Sequence, residues 1–229
     1  MKKKSLLIFI MVMLLCINSV VLQAFAVGGN VKPDLVSKEE FVSAFMELHK
    51  KYDLKCEVID DSNYNPITRE EFESIFNRIE KGLIDSFNEL NKDNEKLQKL
   101  LKEDGLSAIN DITPNAQWVI RGYEGRKYVE HSTGLAFVNI KYGSWAELNI
   151  NNGEYGYVDS PGLWYYDIAV GLEDIDYERN EWFITSMGYK VVASAAGLVT
   201  FSYTIGGVKF SSQQPFSIYS TYDQYSDYV

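Results

Sequence analysis

Cysteine is nearly missing. The 229-residue chain has two, Cys16 and Cys56, and Cys16 falls inside an apolar leader that is expected to be removed. One remaining thiol excludes an intramolecular disulfide framework and a thiolate-rich zinc site. Histidine is equally scarce, with His49 and His131 alone. Nucleophilic catalysis needs an activated Ser, Cys or Thr beside a base, so a Cys56–His131 dyad is formally available, against the plainer expectation that Cys56 is a small buried apolar residue. There is no Gly-x-Ser-x-Gly elbow, no His-Glu-x-x-His and no phosphate-binding Gly-rich loop ending in Lys. Positive charge is the third deficit, at 22 Lys+Arg against 32 Asp+Glu. Phosphate affinity rests on neutralisation by Lys and Arg, so neither nucleic acid nor an anionic membrane surface is an expected partner. What remains, 46% hydrophobic and 24% charged residues, is the composition of a chain that folds around a core.

The first residues read as an address. Lys2, Lys3 and Lys4 precede an almost wholly apolar run from Leu6 to Val21, and Ala24-Phe25-Ala26 places small residues where a signal peptidase cuts. Residues 1–26 are therefore expected to be a signal peptide. Leu15 stands before Cys16 where a lipoprotein signal needs a small residue. The mature chain is expected to be secreted, with no membrane association after cleavage, and its cysteine poverty fits a bacterial exporter of the Gram-positive kind. Loss of the three lysines makes the formal net charge of -10 more negative still.

Residues 27–112 read as a helical segment. Ser37-Lys38-Glu39-Glu40 and Thr68-Arg69-Glu70-Glu71 are both capping boxes, in which the hydroxyl accepts from a backbone N–H three residues on and the Glu reaches back. The first opens a helix with Phe41, Phe45, Leu48 and Tyr52 on one face, near whose end His49 can meet the helix dipole. The second opens a helix striped by Phe72, Ile75, Phe76, Ile79, Leu83, Phe87 and Leu90, a run of about five turns. A separate short helix is expected around Leu97, Leu100 and Leu101, and a short strand over Leu54 to Ile59.

From Ala116 the period changes to two. All four Trp lie beyond it, and turn signals recur at intervals of about eight to twelve residues, the spacing of an antiparallel sandwich. The expected fold is α+β, an N-terminal helical segment followed by an antiparallel β-sandwich, Ig-like or jelly-roll-like, over 113–219, with a tail at 220–229 lacking a clear pattern. Thr113-Pro114-Asn115 marks the boundary, since Pro114 disfavours helix in its predecessor. Two hairpins can be registered: Asn152-Gly153 as a type I′ turn setting Ile150 against Tyr155 and Leu148 against Tyr157, and Gly206-Gly207 setting Ile205 against Val208 and Tyr203 against Phe210. About ten short strands are expected, among them 117 to 123, 127 to 131, 134 to 142 and 163 to 172.

Three chemistries suit these residues. Exposed aromatic rings on a sheet make platforms for sugars or protein partners. Trp145 alternates onto the polar side of its strand with Glu147, while Trp164, Tyr166, Ile168 and Val170 read as core, leaving Tyr165 and Asp167 pointing outward; Trp145, Tyr165 and Asp167 are the candidate ligand-binding residues. The run Glu173 to Glu181 reads as a solvated hairpin loop with five carboxylates, and calcium is the one metal such a loop could hold, with Asp174, Asp176 and Glu178 as first ligands. Paired carboxylates such as Glu147, Glu154 and Asp167 could run glycoside hydrolysis without histidine. The expectation is an exported non-catalytic binding protein, without a required cofactor, whose sandwich recognises a protein or glycan at the cell surface. The alternatives are a carboxylate-dependent secreted hydrolase and a calcium-stabilised adhesion-type module.

Overall fold

A computed structural model of the protein describes residues 33–103, 117–159, 163–185 and 187–226, with the side chains of 163–167 left out. The expected signal peptide and the Thr113–Asn115 boundary lie outside the described residues. Leu35–Val229 is one compact unit. Its architecture is α+β: among the described residues there are two helices, α1 (Lys38–Lys51) and α2 (Arg69–Glu103), and eight antiparallel strands in two sheets. The strands are β1 (Cys56–Asp60), β2 (Trp118–Glu130), β3 (Phe137–Asn149), β4 (Tyr155–Val158), β5 (Leu163–Val170), β6 (Leu172–Ile184), β7 (Val191–Ile205) and β8 (Val208–Tyr222). They are fewer and longer than the sequence pattern predicts, and β8 takes in the first residues of the expected tail. The first sheet runs β1-β8-β7-β6. In the second, β3 is central, with β2 on one side and β4 and β5 sharing the other.

Both capping boxes form, to different extents. Thr68 and Glu71 satisfy each other reciprocally: the Glu71 N–H donates to Thr68 Oγ1 and the Thr68 N–H to Glu71 Oε2. At α1 the Glu40 N–H donates to Ser37 Oγ at 3.2 Å, but the Glu40 carboxylate turns to Arg69, which bridges the two helix starts. Helix α2 is one helix of 35 residues, about 50 Å long at 1.5 Å per residue, and absorbs the short third helix expected around Leu97. The polar stretch Asn91 to Lys96 looked like a break because the stripe position there is Asp93. That carboxylate is buried, accepting from Ser217 of β8 at 2.8 Å and pairing with Lys96 at 2.7 Å. Leu97 and Leu100 continue the buried face beyond it.

The Gly206-Gly207 hairpin has the expected register, Ile205 opposite Val208 and Tyr203 opposite Phe210, and both glycines have the positive φ that a type I′ turn demands, 56° and 78°. The Asn152-Gly153 hairpin does not. Among the described non-glycine residues φ is positive at Asp53 alone, so Asn152 cannot complete a type I′ turn. The loop lengthens, and Leu148 pairs with Tyr155 and Glu147 with Tyr157, across a bulge.

The core lies between the sheets and under α1. Phe45 stacks on Phe210 at 5.1 Å, with Phe41 and Tyr203 against the same ring. Further along, Tyr123 of the second sheet meets Tyr222 of the first at 4.9 Å, and Tyr142 hydrogen-bonds Ser220 at 2.8 Å. Strand β1 covers β8 only as far as Ser212. Beyond that, β8 has no strand partner on the side away from β7 among the described residues, and α2 lies there instead, through Ser86 to Gln214, Asp93 to Ser217 and Lys96 over Tyr219. The same helix touches the second sheet: Glu89 pairs with Lys127 of β2, and Gly82 approaches the β2–β3 turn so closely that a Cβ there would fall 2.5 Å from the Ser132 Cβ. Helix α2 thus closes the gap between two sheet edges, which would otherwise present unpaired backbone.

Candidate functional site

The outer face of the second sheet carries two apolar clusters. Period two sends Ile120, Gly122, Glu124, Arg126 and Tyr128 of β2 outward, opposite Glu147, Trp145, Gly143, Lys141 and Asn139 of β3. At one end Trp145, 38% exposed, packs its ring 5.2 Å from Tyr157, and Ile120, 71% exposed, is Trp145's diagonal neighbour across the pair. The Trp118 ring lies across Gly156 beside them. At the other end Tyr128 and Phe137 meet at 5.4 Å, and the register places Ile168 and Val170 next to Phe137 and Asn139. Between the clusters a Lys141–Glu124 ion pair of 2.9 Å supplies a charged waist. Trp145 and Phe137 are eight residues apart, roughly 27 Å along an extended strand.

This geometry corrects one expectation. Ile168 and Val170 do not read out as core; Ile168 is 59% exposed and Val170 also faces out. A register shift between Asn139 and Ile140 inserts one extra residue, Asp167, into β5, so that Trp164 and Tyr166 pair with inward-facing Tyr142 and Ile140 while Ile168 and Val170 pair with the outward row. Of the three candidate ligand residues, Trp145 is on the outer face. Tyr165 pairs with Lys141 in the same outward row and Asp167 is the bulge residue; their side chains lie outside the described residues.

The acidic run is not a loop. Glu173 to Glu181 belongs to β6, an outer strand of the first sheet as described, with Glu173, Asp174, Asp176, Glu178 and Glu181 exposed along it. Alternating acids on a strand edge discourage pairing with another chain. Asp174, Asp176 and Glu178 are strung along an extended backbone where a calcium loop would curl them round one point, and among the described residues no group of three or more His, Cys, Asp or Glu is placed to hold a metal. Of the hydrolase candidates, Glu147 is half-buried between Ile120 and Tyr157, and Glu154, also half-buried, follows the turn and accepts from Asn152 at 2.7 Å.

His131 is not partnered by Cys56. Its two ring nitrogens meet Thr133 Oγ1 and Ser212 Oγ, each at 2.9 Å. Burial and the neighbouring Glu57 push the Cys56 thiol up to about 12, far from thiolate formation near neutrality. The His131–Ser212 contact resembles half of a catalytic triad but works in the opposite sense. The backbone N–H of Thr133 donates to His131 Nδ1, so the neutral ring carries its proton on Nε2 and gives it to Ser212, where an activating base would take one. Ser212 is also fully buried. His49, expected near the helix end where it could meet the dipole, is buried as well, and its Nδ1 donates to the Phe45 carbonyl at 2.9 Å. Its ring stacks over His131 with centroids 6.4 Å apart and planes 7° apart. No sequence signal joins two histidines 82 positions apart; only β-strand register and helix docking bring them together.

Compared with family models, with characterised proteins and with solved structures, the chain matches none. Among the described residues no helix is long and apolar enough to cross a membrane.

Proposed function

We propose that this is an exported, non-catalytic binding protein that presents the outer face of its second sheet to a glycan or a protein at the cell surface. The observation that carries this reading is the pair of exposed apolar clusters on one sheet face, Ile120, Trp145 and Tyr157 at one end and Tyr128 and Ile168 at the other. An antiparallel sheet with one solvated face ordinarily puts polar residues there, and exposed apolar clusters, each rimmed by polar residues, mark interaction sites. Tyrosine and tryptophan suit the task because each offers a rigid apolar face with a polar edge. The buried, proton-donating arrangement of His131 and the high thiol of Cys56 support a non-catalytic reading of the same chain.

The test is co-sedimentation of the exported chain with purified cell wall and insoluble polysaccharides, beside Trp145→Ala and Tyr128→Ala variants. Binding that falls at least tenfold in Trp145→Ala, with an unchanged melting temperature, places a glycan on the Trp145–Tyr157 end. Absence of glycan binding, with capture of a surface protein that Tyr128→Ala abolishes, places a protein partner on the other end. Turnover of a polysaccharide lost on Glu147→Gln would overturn the non-catalytic reading.

A further inference from the structure

The stacked histidines sit where four elements meet. His49 comes from α1, His131 from the end of β2, and Ser212 and Tyr203 from β8 and β7; Tyr203 lies 4.2 Å from the His131 ring and bonds Ser212 at 3.0 Å. The proton inventory of both rings is fixed by partners that can act in one sense only. A carbonyl accepts, so the Phe45 contact puts the His49 proton on Nδ1 and leaves Nε2 bare, buried and without a partner. A backbone N–H donates, so the Thr133 contact keeps His131 Nδ1 bare; the Thr133 hydroxyl, which accepts from the Leu135 N–H, donates its own hydrogen to the same nitrogen. Neither bare nitrogen can take up a proton without cost. At His49 the charge would face no acceptor; at His131 it would break the bond from the Thr133 N–H and force the Thr133 hydroxyl to turn from donor to acceptor in the turn joining β2 to β3.

That turn is also the piece against which α2 rests at Gly82. Around it is a cleft of about 480 Å³ whose charged lining is Arg78, Lys81 and Asp85 of α2 and Glu130 of β2. No carboxylate bonds either imidazole: the partners of His131 are Thr133 and Ser212, and that of His49 is Phe45. From the first sheet the titratable groups nearby are Tyr203 of β7, against the ring, and Cys56 of β1, which acts on Tyr203. Neither Tyr203 nor Cys56 offers a counter-charge to an imidazolium, and Asp85 and Glu130 border the cleft that His131 also lines without bonding either ring.

We propose that the His49–His131 stack is an acid-sensitive latch, holding the β2–β3 turn to α1 and the first sheet only while both rings are neutral. Burial lowers both histidines below their ordinary range, His131 to about 3. Opened or unfolded, they return to about 6.5. A base whose folded-state affinity for protons is depressed stabilises the fold above its unfolded value and loses that contribution as pH falls towards the folded one. The latch is therefore closed above about pH 6.5 and weakens progressively towards pH 3.

The experiment is native-state amide exchange of residues 131–136 in the full chain between pH 6 and pH 4, corrected for intrinsic exchange, with His49→Phe in parallel. Phenylalanine keeps the stack and leaves no polar group behind, since Phe45's carbonyl belongs to a helix. Each ring that must take a proton multiplies the opening constant by about tenfold per pH unit, so His49→Phe is expected to flatten the dependence by about that factor. Imidazole nitrogen spectra of the unaltered chain give a second measurement that does not depend on any variant folding: His49 protonated on Nδ1, His131 on Nε2, and neither titrating near pH 6.5. An ordinary titration of His131 near 6.5, or equal pH slopes in the two proteins, would overturn the latch.

Discussion

Single side chains in this protein are governed by what surrounds them more than by their own chemistry. Cys56 is the clearest case. With its thiol held at about 12, the thiolate fraction at pH 8 is about a thousandth or less of that of an exposed cysteine near 8.5. Native protein should react with a thiol reagent at a correspondingly reduced rate, and denaturant should restore it; ordinary reactivity in the native state would show that the pocket around Cys56 opens. From the residues alone, Cys56 was readable as a small apolar group, and it packs partly buried against the core. The histidines were not, because each owes its state to a partner far along the chain: the His131 ring for His49, Ser212 for His131. Trp145 was legible, since alternation with Leu148 fixes its side of the strand. Ile168 was misread for a related reason. Alternation assumes an unbroken ladder, and the single extra residue at Asp167 reverses every position beyond it.

Elements were most legible where local chemistry closes on itself. The Thr68–Glu71 box needs nothing outside four residues, and Gly206-Gly207 needs nothing beyond two. Replacing Thr68 by Ala should destabilise the fold by about 1 kcal/mol, measured as a shift in urea midpoint without a change in slope. Where an element depends on tertiary contact, the pattern failed. Helix α2 continues through Asp93 because Ser217 and Lys96 satisfy a carboxylate that periodicity counts as a break. Asp93→Ala should therefore cost about 1–3 kcal/mol, by stranding Ser217 in a buried position, whereas Asp85→Ala, on the exposed face of the same helix, should fall within about 0.5 kcal/mol. The acidic run taught the same lesson. Five carboxylates look like a loop in isolation, yet β6 accommodates them because its acids face solvent and its ladder with β7 runs from Leu172 to Ile184.

At the scale of the molecule, the helical half and the sheet half cannot be taken apart. Strand β1 lends its backbone to β8, α1 covers the Phe210 ring, and α2 shields edges of both sheets. Residues 113–229 expressed alone should fail to give a monomeric folded species, and gel filtration with circular dichroism would report aggregate or disordered chain. A stable, sheet-rich monomer would mean that the helices are accessory. The α+β layout itself was visible in the change of period near Ala116; the way the halves interlock was not, because nothing local in Cys56–Asp60 announces a partner some 150 residues away in the ladder with β8. That pairing has a temporal side. The edge of the first sheet stays incomplete until the segment around Ser212 has been made, and contacts this distant in sequence are slow to form. The first sheet therefore closes only when nearly the last strand has appeared, whereas the second, complete by Val170, can form before it.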